Sequence, residues 1–241
     1  MTFENDVKIL ASLNKELRKY NVKLIFQYYD VSPFKKNNAE IVDIILKYSD
    51  MLESWYNKIF ILSSLCDEGF KNAVPYLVDL YFYFIENIYS IPSDEIYLIH
   101  LCDTISKINS FEHKELYKKI LCGPMTQSAE SIIMMVSRYN SDEYDHIIFD
   151  LIKRENLIPS LWIGELNEDN KYWCSYVSLK CIVFKKNKKY LEFFKTLIEC
   201  ETIEWLHFSK SKYCEKLNLK WNTKYKKLAK QGYDKIISLI D

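Results

Sequence analysis

Glycine is nearly missing from this chain, with four residues in 241, and proline contributes only five. So few turn-forming positions cannot supply the hairpins of a β-barrel, and neither G-x-G-x-x-G nor G-x-x-x-x-G-K-[ST] occurs, which removes the Gly-rich phosphate loops. Arginine is confined to positions 18, 138 and 154. Because arginine is the bidentate reader of guanine and phosphate, a basic charge carried almost wholly by lysine argues against sequence-specific nucleic-acid recognition. The seven cysteines are odd in number and form no C-x-x-C, so they read as reduced, buried thiols of a cytosolic protein, with no disulfide. Histidines stand at 100, 113, 146 and 207 in neither H-x-x-x-H nor H-E-x-x-H spacing; no metal and no cofactor are expected. The nearest local cluster, His100, Cys102 and Asp103, reads as a core or interface histidine. G-x-S-x-G is absent too, and Cys66 and Cys102 fall in the body or last turn of expected helices, where the dipole works against a thiolate. Nothing here marks an enzyme. The longest apolar stretch, around Tyr76–Ile85, is interrupted by Asp79 and is shorter than the roughly 20 residues that span a bilayer. Residues 1–20 are punctuated by Glu4, Asp6, Lys8, Lys15, Glu16, Arg18 and Lys19, leaving no apolar region of a secretory signal, so the expected compartment is the cytoplasm.

What is present is helical periodicity. With 49% hydrophobic and 27% charged residues the chain has the apolar mass for a single α-helical domain over 1–241. Val74, Leu77, Val78, Tyr81, Ile85 and Ile88 recur at the spacing of one helix face, and Tyr76, Leu80 and Tyr83 form a second stripe, predicting a helix covered on two sides. Start signals stand at Asn37, Ser93, Asn109 and Ser141, each followed by carboxylates, and stop signals at Gly69, Gly123-Pro124 and Asn140. Helices are predicted near 3–19, 38–52, 54–67, 70–89, 94–108, 111–122, 127–139, 142–155, 172–185, 188–200 and 210–239. Val22, Leu24, Phe26 and Tyr28 alternate as in a strand, whereas Trp173, Val177, Cys181 and Phe184 fit a helix. Expected core residues include Leu62, Leu77, Tyr81, Ile99, Ile133, Ile148, Val177 and Phe194.

The helices pair in sequence, 54–67 with 70–89, 94–108 with 111–122, 127–139 with 142–155 and 172–185 with 188–200. Their second members align as Pro75-Tyr76-Leu77-Val78, Leu116-Tyr117-Lys118-Lys119-Ile120, Tyr144-Asp145-His146-Ile147-Ile148 and Tyr190-Leu191-Glu192-Phe193-Phe194. Over residues 54–200 this pattern resembles the HEAT-like α-solenoids, and implies a right-handed helical repeat of antiparallel pairs; an irregular α-helical bundle is the alternative. Residues 1–52 would then be N-terminal helices and 201–241 a basic C-terminal helical segment. The stretch 156–171, with Pro159, Gly164 and Leu161-Trp162-Ile163, reads as an ordered loop interrupting the repeat.

Net charge is zero, yet residues 1–170 hold 17 Lys/Arg against 26 Asp/Glu while residues 171–241 hold 16 against 7. Such a split points to partner surfaces. An acidic helical-repeat surface without catalytic motifs resembles bacterial immunity or antitoxin proteins that block basic toxins by charge complementarity. That resemblance implies a protein partner, with Asp67, Glu68, Asp103, Asp142, Glu143, Asp145, Glu165, Glu168 and Asp169 as its acidic binding surface. The alternative is a nucleic-acid or polyanion binder, either resembling the HEAT-like alkylpurine DNA glycosylases, from which no residue transfers, or acting through Lys220, Lys224, Lys227 and Tyr225. Against it, Leu217, Trp221, Tyr225 and Leu228 form one stripe at i, i+4, i+8 and i+11, the pattern of a last helix docked on the body.

Overall fold

Each of the eleven segments in which the sequence predicts a helix contains one in the computed structural model, and the chain is all-α. The structure describes residues 2–25, 28–30, 39–87, 94–139, 141–154, 161–162, 165–166, 171–206 and 212–240. The helices are α1 (Thr2–Leu17), α2 (Ala39–Met51), α3 (Trp55–Leu62), α4 (Val74–Glu86), α5 (Asp94–Ile108), α6 (Lys114–Cys122), α7 (Glu130–Val136), α8 (Asp142–Leu151), α9 (Trp173–Lys185), α10 (Leu191–Glu199) and α11 (Lys212–Ile237). Extended structure is limited to two short antiparallel ladders among the described residues. In one, β1 (Lys23–Ile25) pairs with β2 (Tyr28–Asp30) in the register Leu24↔Tyr29, where the sequence alternates. In the other, β3 (Leu161–Trp162) pairs with β4 (Glu165–Leu166) inside the expected loop 156–171.

Several helices are entered through a 3-10 turn: Glu68–Ala73 before α4, Phe111–His113 before α6, Gln127–Ala129 before α7 and Lys188–Tyr190 before α10. Thr126 and Asn187 explain two of them, since their side chains accept the amide two residues on at 3.2 and 3.0 Å and tighten the first turn. The predicted signals need correcting at three places. Asn109 does not start a helix: it lies at φ 48° and ends α5, its amide donating to the Ile105 carbonyl at 3.1 Å, a left-handed position that asparagine tolerates. Gly69 falls within the 3-10 run Glu68–Ala73, after α3 has already tightened through Ser63–Leu65. Ser141 occupies the backbone position of a cap on α8, yet its side chain makes no capping bond. Gly123 does close α6, its amide reaching the Lys119 carbonyl at 3.0 Å. Asn37, Ser93 and Asn140 lie outside the described residues.

The fold divides into two compact units, residues 1–117 and 118–241. In the first, Ile9, Leu13 and Leu17 bury one face of α1, and α1 packs on α2, α2 on α3, and α4 and α3 on α5. Each such side chain withdrawn from water contributes roughly 1.5–3 kcal/mol. Asp6, fully buried, fixes the α2–α3 link by accepting the amides of Glu53 (2.9 Å) and Ser54 (3.1 Å) and the Asn57 amide side chain (2.8 Å). Leu77, Val78, Tyr81 and Ile85 of α4 are buried as expected, but the second stripe is not: Tyr76 and Leu80 are part-exposed and Tyr83 exposed. That second face is only partly covered: the Tyr76 hydroxyl donates to Asp50 at 2.5 Å and lies 2.9 Å from Oγ of the buried Ser49, both on α2. Burial and that carboxylate push the Tyr76 phenol up to about 12.

In the second unit α9 is the hub, packing on α7, α8 and α11, while α10 packs on α11. It buries Cys174, Ser175, Val177, Ser178, Leu179, Cys181, Ile182 and Val183. Two buried serines are tolerated because both hydroxyls donate to carbonyls, Ser178 to Cys174 at 2.9 Å and Ser175 to Ile152. The predicted docking stripe of α11 is buried along its length, and the hydroxyl of Tyr225 donates to Ser175 Oγ at 2.5 Å. Arg154 closes the end of α6, its guanidinium donating to the carbonyls of Leu121 (3.0 Å) and Gly123 (2.6 Å).

The expected core residues are buried except Ile99, which is part-exposed. Cys102, Cys174 and Cys181 are buried thiols, but Cys122 is exposed and Cys66 and Cys200 lie between, so the uniform burial expected of the cysteines does not hold. Helix pairing also differs in frame from the expectation. From α2 onward, the sequence neighbours in extensive contact are α2 with α3, α4 with α5, α8 with α9 and α10 with α11, one helix out of step with the pairs predicted. Three of the breaks within the predicted pairs hold 3-10 runs, Glu68–Ala73, Phe111–His113 and Lys188–Tyr190, and the first packs on α2 and α5.

Candidate functional site

The acidic residues expected to form one binding surface fall into different circumstances. Asp142, Glu143 and Asp145 stand together at the start of α8, where carboxylates complement the helix dipole. Asp142 and Glu143 are exposed and Asp145 is buried, and lysines from elsewhere in the second unit face them. Asp145 is buried between Lys185 and Lys189, the latter at 2.8 Å; Glu143 pairs with Lys118, and Asp142 lies 3.8 Å from Lys189. Burial alone would raise the Asp145 carboxyl, but the two ammonium groups outweigh it and hold the group below the usual carboxylate range. Asp145 is therefore a structural anion, not a surface one. In the first unit Glu68 is exposed and Asp67 and Asp103 are part-exposed. The segment carrying Asp67 and Glu68 joins two turns, Ser63–Leu65 and Glu68–Ala73, that both pack on α5, the helix carrying Asp103. The Glu165 side chain, Glu168 and Asp169 lie outside the described residues.

For the polyanion alternative, Lys220 and Lys227 are exposed, and Lys224 lies 4.2 Å above the Trp221 ring. Tyr225 is fully buried and cannot stack on a base; burial drives its phenol far above the ordinary tyrosine range. His100 is exposed while Cys102 is buried, so the two face away from each other on α5, and the expected core or interface histidine is not a core one. Among the described residues no three His, Cys, Asp or Glu side chains are close enough to hold a metal, and no helix is long and apolar enough to cross a membrane.

Among the described residues a groove stands open in each unit. The first, about 250 Å³, lies between α3 and α5 and is lined by Tyr56, Phe60 and Ser63 on one side and Ile96, Tyr97 and His100 on the other. Tyr56 is 55% and Ile96 48% exposed, large apolar side chains left in water on facing helices. Asp103 follows His100 by three positions, hence along the same face of α5. The unit around this groove holds 12 basic and 17 acidic residues.

The second groove, about 590 Å³, runs between α7 and α9. Its apolar surface comes from Met134, Val177, Cys181 and Phe184, and Arg138 and Lys180 stand at it as cations. Burial pushes the Cys181 thiol up, so it is an inert wall rather than a nucleophile. Lys180 sits 5.7 Å from the Trp173 ring and 4.9 Å from Tyr176. Glu130, the one acid lining the groove, accepts a bond from Trp173 Nε1 at 2.5 Å. The unit holds 21 basic and 16 acidic residues.

Sequence reasoning passed over both grooves. Trp173, Tyr176, Lys180 and Phe184 recur at i, i+3, i+7 and i+11, as Tyr56, Phe60 and Ser63 do at i, i+4 and i+7, so each wall was a readable stripe; which helix lies opposite was not. No family model, curated protein or solved structure matches this chain.

Proposed function

We propose that this chain is a non-catalytic, cytoplasmic binding module of the HEAT-like, right-handed helical-repeat kind, which engages a basic protein partner in the manner of an immunity or antitoxin protein. The repeat is supported by an arrangement seen in each unit: odd-numbered helices pack on one another, α3 on α5 and α7 on α9 on α11, while α3, α5, α9 and α11 each pack on the preceding even-numbered helix. The observation that carries the partner is the α3–α5 groove, with Tyr56 and Ile96 exposed in the acidic unit. Exposed aromatic and aliphatic anchors are what interface centres are made of. A lysine or arginine of the partner lays its stem on Tyr56 and Phe60 and turns its charge toward Asp103, with Asp67 and Glu68 extending the field.

The polyanion reading is weaker, because Tyr225 is buried and lysine charge by itself gives only non-specific attraction. The test is capture from native lysate on immobilised wild-type protein beside two variants, Tyr56→Ser/Ile96→Ser and Asp67→Asn/Glu68→Gln/Asp103→Asn. A basic protein retained by the wild type and lost from both variants is the expected result. Equal retention by all three, or retention of nucleic acid sensitive to nuclease, refutes the proposal.

A further inference from the structure

The α7–α9 groove lies in the second unit and has a different chemistry. Val177 and Cys181 at its floor are buried, whereas Phe184 on one wall is 74% and Met134 on the other 43% exposed. Two large apolar side chains on facing helices frame a volume within the roughly 300–1,000 Å³ typical of small-molecule sites.

Two of the cations beside this apolar surface, Arg138 and Lys180, carry charge that no carboxylate among the described residues pairs. Among the described residues neither Arg138 nor Lys180 forms an ion pair. Lys185, a further cation at the groove, is bound to Asp145, and Glu130, which keeps its charge while accepting the Trp173 N–H, is outnumbered by Arg138 and Lys180. Lys180 is held over the rings of Trp173 and Tyr176, which orders its ammonium without neutralising it. Lys235 approaches the Phe184 ring at 5.3 Å and adds a further positive charge to that wall.

We propose that the α7–α9 groove binds a small anionic amphiphile, a molecule with one carboxylate or comparable acidic head and an apolar body. The head pairs with Arg138 and Lys180, the guanidinium offering a bidentate fork and the ammonium a point charge. The body lies along Val177 and Cys181 between Met134 and Phe184, covering the two side chains that water now touches.

Decanoate is the probe, with decyltrimethylammonium, of equal chain length and opposite charge, as its control. Saturable displacement of anilinonaphthalene sulfonate by decanoate but not by the cation is expected. Arg138→Gln/Lys180→Gln should weaken decanoate by roughly tenfold or more, and Phe184→Ser, at an exposed position, should weaken it by several-fold. On the unmodified chain, decanoate should shift the Met134 methyl resonance, assigned through Met134→Leu, so the test stands even where a variant folds poorly. Equal displacement by the cation, unchanged binding in a folded double variant, an unmoved Met134 methyl, or binding confined to an acidic peptide would each overturn the proposal.

Discussion

Replacing Asp145 by asparagine removes the anion from a buried cluster and leaves two ammonium groups facing each other. The Asp145 side chain is 11% exposed and Lys185 19%, so water screens that pair poorly; Lys189, at 40%, is screened much more. Breaking a buried pair from one side costs about 3–5 kcal/mol, and a surface pair about 0.2–1. Asp145→Asn should therefore cost about 3 kcal/mol, Lys185→Met less because Lys189 still faces the carboxylate, and Lys189→Met no more than about 1. The carboxyl is held below its ordinary value in the folded chain, so its contribution is fully present above the unfolded value of about 4 and is lost as pH falls through the folded one. Urea unfolding followed by far-UV circular dichroism should show a gap between wild type and Asp145→Asn that is constant from pH 8 to 5 and closes below about 4. A gap under about 1 kcal/mol at pH 7, or one that persists unchanged at pH 2, refutes the assignment of Asp145 as a structural anion.

Gly232 sets two effects against each other: alanine is favoured in a helix by about 1 kcal/mol, but its Cβ would stand 2.7 Å from the Phe194 ring and 2.9 Å from a Val183 methyl. Overpacking of about 1–3 kcal/mol should win, so Gly232→Ala should lower the melting temperature, and a rise would show that α11 does not approach α9 and α10 so closely. Trp221→Ala, at a fully buried ring packed edge-on against Tyr176 at 5.6 Å, should cost about 3–5 kcal/mol in the same unfolding assay. Neutralising Lys220, Lys224 and Lys227 to glutamine should change stability by less than about 1 kcal/mol. Wild-type protein should bind heparin only feebly at physiological salt; submicromolar affinity that falls steeply with salt and vanishes in this triple variant would move the functional surface to α11.

The sequence by itself determined the helices, because an apolar face at 3.6-residue spacing is a local property that needs no knowledge of neighbours. The stripe Leu217, Trp221, Tyr225, Leu228 announced in advance that α11 docks, and with it that Tyr225 is no platform for bases. Alternation at Val22–Tyr28 likewise marked a place where the first unit turns to strand. What periodicity could not supply was partnership across the chain. Asp145 looks like surface acid because it begins a helix beside the exposed Asp142 and Glu143; only the fold buries it and brings Lys185 and Lys189 to it, from up to 44 positions away. Helix pairing slipped by one for the same reason, since a break in sequence shows where a helix stops and not which neighbour it then meets. Both grooves exist only between helices far apart in sequence, α3 with α5 and α7 with α9, so their lining was legible as single stripes and their chemistry only as the product of two. Exposure and charge compensation are non-local quantities, and tertiary packing alone decided which of this chain's acids, lysines and aromatics remain free to meet a ligand.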